Sequence, residues 1–256
     1  FMADGYARAS GRFGVCLSTT GPAALNVLTP LGTAFADSVP LLSIASEIPS
    51  RGLGLGKGFL HECADQLGCY TPVTKFSARV SEVESIAPAL CSAIAEITSG
   101  RPRPAAIDIP CDILDAEGVL GEVVPVESDV VGCDAGAIER VAEVLASARR
   151  PLIWAGGGVV RSGGFTALAR LAERLDAPVF STVLGKGALG ADHPLSAGEA
   201  LLHPAAADIR TRCDVMLAVG TGFGQLETVN WQLPMPPTLI QVDVDPEAIG
   251  RNYPVE

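Results

Sequence analysis

Short apolar runs alternate with stretches of helical periodicity along the first half of the chain. The runs at 13–20, 40–46 and 105–110 are aliphatic and are bounded by glycine, proline or arginine. Helical patterns occupy 21–36 and 83–98, where apolar residues recur three or four positions apart. Runs of this length predict buried strands, and helices between them favour right-handed crossovers. The pattern therefore predicts a parallel sheet covered by helices.

A second pattern of the same kind follows in the other half of the chain. It predicts helices and strands in alternation: helices 136–148 and 163–175, and strands 151–155, 178–182, 214–220 and 238–245. Between the two patterns, residues 111–135 are acidic, valine-rich and without a clear period, as linkers often are. We therefore predict an α/β fold of two doubly wound domains with mainly parallel sheets, at residues 1–125 and 126–256.

The composition is typical of a globular protein and argues against two classes of partner, nucleic acid and membrane. The 256 residues are 48% hydrophobic and 18% charged, with a formal net charge of −11. Nucleic acid is not expected as a partner, because phosphate contacts need a basic face. No run of 18 apolar residues occurs, so we expect no membrane span. An acidic balance is ordinary for a cytoplasmic protein, and we predict that compartment.

The seven cysteines and three histidines do not form a framework. The cysteine count is odd, no CxxC spacing occurs, and Cys16 lies in an apolar run. These features are typical of free thiols in a reducing compartment. His61, His193 and His203 are too widely spread to predict a zinc site. We therefore predict no metal ligand in this chain.

A polar loop follows the first predicted strand. Its candidate binding residues are Thr20, Gly21, Pro22 and Asn26. In open α/β sheets, ligands bind at the carboxyl ends of strands, and a helix N-terminus offers free N–H groups. The alternative is a plain strand-to-helix turn, in which the Gly-Pro pair only starts the helix.

Two glycine-rich loops in the second half carry weaker signals. Gly156, Gly157 and Gly158 follow a predicted strand, but Arg161 departs from the GxGxxG pattern of dinucleotide loops. Residues 219–224 form a similar loop after another strand, and two such loops in one sheet would flank one crevice. Close packing of a helix against a strand is the alternative explanation for the glycines.

A compact polar cluster follows a third glycine-rich stretch, at 51–58. It contains His61, Glu62, Asp65 and Gln66. A histidine beside carboxylates suits acid–base chemistry. Exposed loop polarity explains the same residues, and both interpretations stay open at this point.

Several longer motifs resemble one enzyme family. The opening FMADGYARASGRFGV is similar to the family's AADGYAR motif, and STTGPAALN resembles its TSGPGxxN loop. The segments FADSVPLL, SGRPRPAAIDIP and RRPLIWAGGG also match its patterns. On these motifs the chain resembles, over essentially its whole length, thiamine-diphosphate enzymes of the acetolactate synthase and 2-oxo acid decarboxylase group. The resemblance implies a pyrimidine-binding domain, truncated at its start, followed by a Rossmann-like central domain.

The resemblance implies thiamine diphosphate and Mg²⁺ as cofactors of the complete enzyme. In the family, a glutamate just upstream of the ADGYAR segment protonates the aminopyrimidine, and a 2-oxo acid loses carbon dioxide through a cofactor ylide and an enamine. That glutamate would precede Phe1, and a third domain holds the diphosphate and Mg²⁺. We therefore expect this chain to be part of a longer protein and inactive alone. The residues matched to the pyrimidine loop are Thr20, Gly21, Pro22 and Asn26, with Ala23 replacing a family glycine.

The resemblance leaves the reaction open. His61 and Glu62 fall where acetolactate synthases carry a Phe-Gln-Glu triplet, and Leu60-His61 replaces Phe-Gln. The segment GKGFLHECADQ looks closer to decarboxylases of 5-guanidino-2-oxopentanoate, the keto acid of arginine. In such an enzyme, Glu62 and Asp65 would pair with the guanidinium, so the predicted substrate contacts are His61, Glu62 and Asp65. A true acetolactate synthase and a non-catalytic α/β binding or regulatory module are the alternatives.

Two further expectations come from the resemblance. The central domain of acetolactate synthases often holds FAD through an Arg-Phe-Asp-Asp-Arg stretch, whereas residues 222–226 here contain no arginine. This difference argues against FAD. Family members build each active site between subunits, so we expect a homo-oligomer, either a dimer or a tetramer. The expected small-molecule partner is the 2-oxo acid substrate.

Overall fold

Two compact units make up the chain, at residues 1–130 and 131–256. The computed structural model describes residues 1–119, 123 and 132–256. The predicted domain boundary at 125/126 lies outside the described residues. Each unit contains one sheet of parallel strands with helices between them. The prediction of an α/β fold with two parallel sheets is confirmed.

The first unit contains a four-stranded sheet. Its strands are β1 (Gly14–Ser18), β2 (Leu41–Glu47), β3 (Phe76–Arg79) and β4 (Ala105–Pro110). Its helices are α1 (Met2–Ser10), α2 (Pro22–Asn26), α3 (Leu28–Asp37), α4 (Gln66–Tyr70), α5 (Ile86–Thr98) and α6 (Cys111–Leu114). Short 3-10 turns occur at Ser50–Gly52, Thr71–Val73 and Val83–Ser85. The strand order is β1-β2-β4-β3, and every neighbouring pair is parallel.

Apolar side chains pack against both faces of this sheet. On one face, helices α1 to α4 bury a cluster that includes Ala24, Leu31 and Tyr70. On the other face, Ile97 of α5 packs with Ile107 of β4. Strands β2 and β4 therefore lie between two apolar layers, which explains why their sequences are nearly continuous apolar runs.

The helix predicted over 21–36 is interrupted at Val27. Helix α2 ends at Asn26 and α3 begins at Leu28. Pro30 explains the break, because it has no N–H to donate to the carbonyl of Asn26 and its ring crowds that carbonyl. The hydrogen-bond ladder resumes one residue later, where Leu31 N–H donates to the Val27 carbonyl at 3.0 Å. The break leaves Asn26 at the end of a short helix.

The second unit contains a five-stranded sheet. Its strands are β5 (Pro151–Ala155), β6 (Val179–Ser181), β7 (Ser196–Gly198), β8 (Val215–Val219) and β9 (Thr238–Val242). Its helices are α7 (Ala135–Ser147), α8 (Gly157–Arg161), α9 (Phe165–Leu175) and α10 (Ala207–Arg212), with 3-10 turns at Ala200–Leu202 and Pro204–Ala206. The order is β7-β6-β5-β8-β9, all parallel. From β5 the chain adds β6 and β7 on one side and then returns to add β8 and β9 on the other. In doubly wound folds a crevice opens between the two strands at such a switch point, here β5 and β8.

The sequence pattern missed short elements. Strand β3 has four residues, all half-buried and including Arg79. Strand β7 has three residues, two half-buried and one exposed. Strands this short and this polar do not produce an apolar run. Helix α9 begins at Phe165 rather than at 163, because Gly163 has a φ of +65° and separates it from α8. The strands at 105–110 and 151–155 occupy the residues that the sequence predicts.

Candidate functional site

The candidate binding loop lies at the carboxyl end of β1. Gly21 has a φ of +63°, a conformation that glycine adopts without strain, and it turns the chain into α2. Pro22 occupies the first turn of α2, where its missing N–H removes no helical bond. The Thr20 hydroxyl lies 3.1 Å from the Ser46 hydroxyl of β2. These contacts fix the backbone of the loop above the sheet edge.

The structure brings the two candidate loops of the first unit together. A Cβ on Gly21 would overlap the carbonyl oxygen of His61, so only glycine allows this close approach. His61 itself has a φ of +63°, which is uncommon for a residue with a side chain. Its side chain is exposed. The predicted binding residues at 20–22 and the predicted substrate contact at 61 are therefore neighbours.

Glu62 and Asp65 use their carboxylates within their own loop. One oxygen of Glu62, Oε2, accepts hydrogen bonds from the backbone N–H groups of Gly58 and Phe59, at 2.6 and 2.8 Å. Asp65 is the N-cap of α4, and its Oδ1 accepts the N–H of Gly68 at 2.9 Å. Both acids hold the loop in shape, and each has a second oxygen outside these bonds.

A buried polar cluster lies beneath the loop, and of its four members only Gln66 was named among the candidate residues from the sequence. It consists of Glu47, Gln66, Arg79 and Asp108. Glu47 and Asp108 are almost completely buried, at 1% and 0% exposure. Arg79 donates to both carboxylates, with its Nη2 atom 3.2 Å from Glu47 Oε2 and 2.9 Å from Asp108 Oδ2. Parallel pairing produces the cluster, because Arg79 is the register partner of Asp108 on the adjacent strand.

Burial affects the ionisation of Glu47 in this cluster. Desolvation is the main cause that raises the pKa of Glu47 above its ordinary value, and the nearby Asp108 carboxylate raises it further. Burial also raises the pKa of Tyr70, which packs on the same face of the sheet. The available sequence signals were Glu47, directly after the apolar run at 40–46, and Asp108, inside the run at 105–110. Charges in buried strands are rare unless they are paired.

The two glycine-rich loops of the second unit meet at the carboxyl ends of β5 and β8. Gly158 N–H donates to the Gly220 carbonyl at 3.0 Å, and Gly156 N–H donates to the Val219 carbonyl at 2.8 Å. A Cβ on Gly158 would lie 2.6 Å from the Gly220 Cα. Backbone contact between the loops therefore requires these glycines, and the N–H of Gly158 is already used within the chain.

Neither a metal-ligand cluster nor a membrane-spanning helix occurs in the described residues. In the part of the chain that the structure describes, no three His, Cys, Asp or Glu side chains converge to hold a metal ion. Within the same residues, every helix is too short or too polar to cross a membrane.

Comparison with known proteins supplies the family. Residues 138–256 match the family model described as thiamine pyrophosphate enzyme, central domain. Residues 1–69 match the model described as thiamine pyrophosphate enzyme, N-terminal TPP binding domain. The chain belongs to the thiamine pyrophosphate enzyme family. The family recognised from the sequence motifs is thereby confirmed.

Three members of the family illustrate the sequence similarity. A probable 2-ketoarginine decarboxylase of Pseudomonas aeruginosa is 44% identical over 99% of the chain and 45% of the relative. A probable acetolactate synthase large subunit of Methanocaldococcus jannaschii is 37% identical over 98% of the chain and 44% of the relative. The acetolactate synthase isozyme 3 large subunit of Escherichia coli is 34% identical over 98% and 45%. The chain spans about half the length of the relatives that it matches.

At the end of the Thr20–Asn26 segment, the side chain of Asn26 is available to a ligand. Asn26 is exposed, and within the described residues its side chain makes no hydrogen bond. A carboxamide both donates and accepts hydrogen bonds, as an aminopyrimidine requires. The chemistry of Asn26 is therefore compatible with the pyrimidine end of the cofactor.

Proposed function

We propose that this chain supplies the pyrimidine-binding and central domains of a thiamine-diphosphate-dependent decarboxylase that acts on a 2-oxo acid with a guanidino side chain. The observation that carries the proposal is the 44% identity to a probable 2-ketoarginine decarboxylase over 99% of the chain. The acetolactate synthases compared above are 37% and 34% identical. The proposal includes Mg²⁺ as a second cofactor and the cytoplasm as the compartment.

In this proposal the chain contributes binding and orientation. Thiamine diphosphate, when bound, supplies the electron sink that loss of carbon dioxide requires. The Thr20 and Gly21 backbone is held rigid by β2 and α4, and Pro22 and Asn26 face outward from it. A rigid loop loses little conformational entropy when the pyrimidine binds. The residues proposed to contact the cofactor are Thr20, Gly21, Pro22 and Asn26.

The proposed substrate contacts lie on the adjoining loop. Glu62 and Asp65 each keep one carboxylate oxygen outside the bonds that shape the loop. A guanidinium forms charge-assisted hydrogen bonds with such oxygens, and its planar fork matches a carboxylate. His61 approaches Gly21 through its backbone carbonyl, and its exposed ring would donate a hydrogen bond to a bound 2-oxo acid. These three residues give the proposal its substrate class.

Acetolactate synthase activity is the second candidate, because several relatives carry that name at 33–37% identity. The two reactions use different substrates and release different products. A decarboxylase converts the guanidino keto acid to an aldehyde and carbon dioxide. A synthase condenses two 2-oxo acids, so two molecules of pyruvate give acetolactate and one carbon dioxide.

The test uses the natural-length polypeptide that contains this chain. It is supplied with thiamine diphosphate and Mg²⁺ and offered 5-guanidino-2-oxopentanoate or pyruvate in separate assays. We expect carbon dioxide and the guanidino aldehyde from the first substrate, identified by mass spectrometry. Acetolactate from pyruvate, without turnover of the guanidino acid, would favour the synthase. No turnover of either substrate would favour a non-catalytic binding or regulatory module.

We also propose that the protein acts as a homo-oligomer, either a dimer or a tetramer. Exposed apolar side chains at the start of the chain support this, since Met2, Tyr6 and Leu17 are 93%, 50% and 77% exposed. Apolar groups in such numbers on one part of a surface mark contact regions. Light scattering on the natural-length polypeptide tests the proposal, and a monomer at micromolar concentration would contradict it.

A further inference from the structure

Gln66 makes three hydrogen bonds beneath the candidate cofactor loop. Its Oε1 accepts the backbone N–H of Gly21 at 2.6 Å. Its Nε2 donates to the Ser46 carbonyl at 2.9 Å and to Asp108 Oδ1 at 2.5 Å. The side chain is fully buried. The amide orientation is determined by its partners, because Gly21 offers only a donor while Ser46 O and Asp108 offer only acceptors.

Helix α4 holds the loop at a second point. At its other end, the Tyr70 hydroxyl donates to the Ala24 carbonyl at 3.4 Å. The helix therefore contacts both the turn before α2 and the body of α2. Asp65 caps the start of α4, so the substrate-contact loop and the cofactor loop are joined by one short helix.

We propose that Gln66 is a positioning residue for cofactor binding, which sets the conformation of the Thr20–Asn26 loop through the Gly21 N–H. The inference rests on the proposed function, since it assigns the loop to the pyrimidine. Asp108 in turn orients Gln66, and Arg79 neutralises Asp108 from the opposite side. A chain of hydrogen bonds thus extends from the polar cluster to the loop.

The physical reason is the cost of an unsatisfied buried N–H. Without Gln66 Oε1, Gly21 would keep its N–H in a buried place with no acceptor, and the loop would move to find water. Replacement by leucine removes all three bonds at similar volume. Replacement by glutamate keeps the shape, but its ionised form would face Asp108 and the Ser46 carbonyl, which are both acceptors. A protonated carboxyl restores one donor, so the glutamate variant should recover as pH falls.

A matched control exists in the second unit. Gln241 is also buried, and its Nε2 donates to the Thr221 and Ala248 carbonyls at 3.0 and 3.1 Å. Its Oε1 accepts the Gly250 N–H at 2.9 Å. Gln241→Leu therefore removes an equivalent set of bonds away from the candidate loop. It measures the effect of losing a buried glutamine as such.

The experiment uses the natural-length polypeptide with Gln66→Leu, Gln66→Glu and Gln241→Leu. Hydrogen exchange is measured first, without cofactor. We expect Gln66→Leu to speed exchange at Gly21 by at least about tenfold, the factor that corresponds to one unsatisfied buried N–H. Gln241→Leu should speed exchange at Gly250 and leave Gly21 unchanged. Unchanged exchange at Gly21 in Gln66→Leu would overturn the assignment.

Cofactor dependence is measured second. We expect Gln66→Leu to raise the KM for thiamine diphosphate by at least about tenfold with a smaller change in kcat, because a saturating cofactor reorders the loop. Gln66→Glu should show a cofactor KM that rises with pH. An equal rise in Gln241→Leu, or a pH-independent Gln66→Glu, would overturn the inference. Absence of any thiamine diphosphate dependence in the unsubstituted protein would instead overturn the proposed function.

Discussion

The guanidinium of Arg79 donates two hydrogen bonds to one oxygen of Asp108, at 3.2 Å from Nε and 2.9 Å from Nη2. Asp108 has no exposed surface, whereas 28% of the Arg79 side chain is exposed. The same guanidinium also contacts the buried Glu47. One cation therefore bonds to two carboxylates near the carboxyl ends of β2, β3 and β4.

Removing the cation should destabilise the first unit strongly. Arg79→Met keeps the apolar stem and leaves two buried carboxylates without their partner. Breaking a buried pair from one side costs about 3–5 kcal/mol. Both tryptophans, Trp154 and Trp231, lie in the second unit, so tryptophan fluorescence does not report on the first. Hydrogen exchange of the β2 and β4 amides measures the stability of the first unit instead.

The control for this prediction is an exposed ion pair. Arg212 lies 3.0 Å from Asp208, with side chains 61% and 76% exposed. Arg212→Met should change the free energy of unfolding by less than about 1 kcal/mol, because solvent screens the pair. A loss below about 1 kcal/mol for Arg79→Met would mean that the buried carboxylates are neutral or hydrated.

The pKa of Glu47 predicts how stability varies with pH. Burial raises this pKa above the ordinary value of 4.5, so between pH 4.5 and the folded-state pKa the folded state binds more protons than the unfolded state. The contribution to stability is therefore fully present below pH 4.5 and is lost as pH rises through the folded-state pKa. Glu47→Gln should remove this slope. Hydrogen exchange of the β4 amides, measured over a pH series and corrected for intrinsic rates, reports how the stability of the unit varies with pH.

An exposed glutamate provides the comparison for Glu47. Glu82 lies on the surface of the same unit, and Glu82→Gln should keep the slope of the unsubstituted protein. If Glu47→Gln also kept the slope, the proton would belong to another group of the cluster, and the reading of Glu47 would be wrong.

The sequence predicted best what depends on local pattern. Strands β4 and β5 are buried on both faces, so their apolar runs define them directly. The turn from β1 into α2 at Gly21 and Pro22 could be predicted, because a strand end followed by Gly-Pro is a local signal, whereas the binding role of Thr20–Asn26 stays a prediction. Strand β3 was not predicted, because its four residues are only half-buried and do not form an apolar run.

The polar cluster depends on topology, which explains why it could not be predicted. Gln66 and Gly21 are 45 residues apart, and their contact requires α4 to return over the end of β1. Arg79 reaches Asp108 only because β3 pairs with β4 rather than with β2. Sequence alone does not give the strand order. The charges of Glu47, at the end of one apolar run, and of Asp108, inside another, could have indicated that a partner was needed.

The contact between Gly158 and Gly220 predicts an effect of added volume. Gly158→Ala would place a Cβ 2.6 Å from the Gly220 Cα, which is backbone and cannot rotate away. We expect the second unit to lose about 1–3 kcal/mol, the usual cost of overpacking. Tryptophan fluorescence during urea unfolding reports on this unit, because Trp154 and Trp231 both belong to it.

A glycine without such a contact is the comparison. Gly136 lies in α7, and a Cβ there would meet the end of the Arg140 side chain at 3.4 Å and the Asp134 carboxylate at 3.7 Å, both at ordinary contact distance. Gly136→Ala should stabilise the unit by up to about 1 kcal/mol, since alanine favours helix. Equal stability of the two variants would show that the loops separate at little cost.

The carboxylates of Glu62 and Asp65 predict a change in substrate preference. Glu62→Gln removes the charge but keeps a carbonyl oxygen for the N–H groups of Gly58 and Phe59. Asp65→Asn keeps the N-cap, because asparagine caps helices as well as aspartate. The loop should therefore keep its shape in both variants. Any loss can then be assigned to charge.

Steady-state kinetics on the natural-length polypeptide tests that assignment. We expect each variant to raise the KM for 5-guanidino-2-oxopentanoate by about tenfold or more, the value of one charge-assisted hydrogen bond, with pyruvate unaffected. Glu227→Gln is the control, because Glu227 also accepts a backbone N–H, that of Val183, in the other unit. It should leave both substrates unchanged. An unchanged KM for the guanidino acid in both Glu62→Gln and Asp65→Asn would remove these carboxylates from the substrate site.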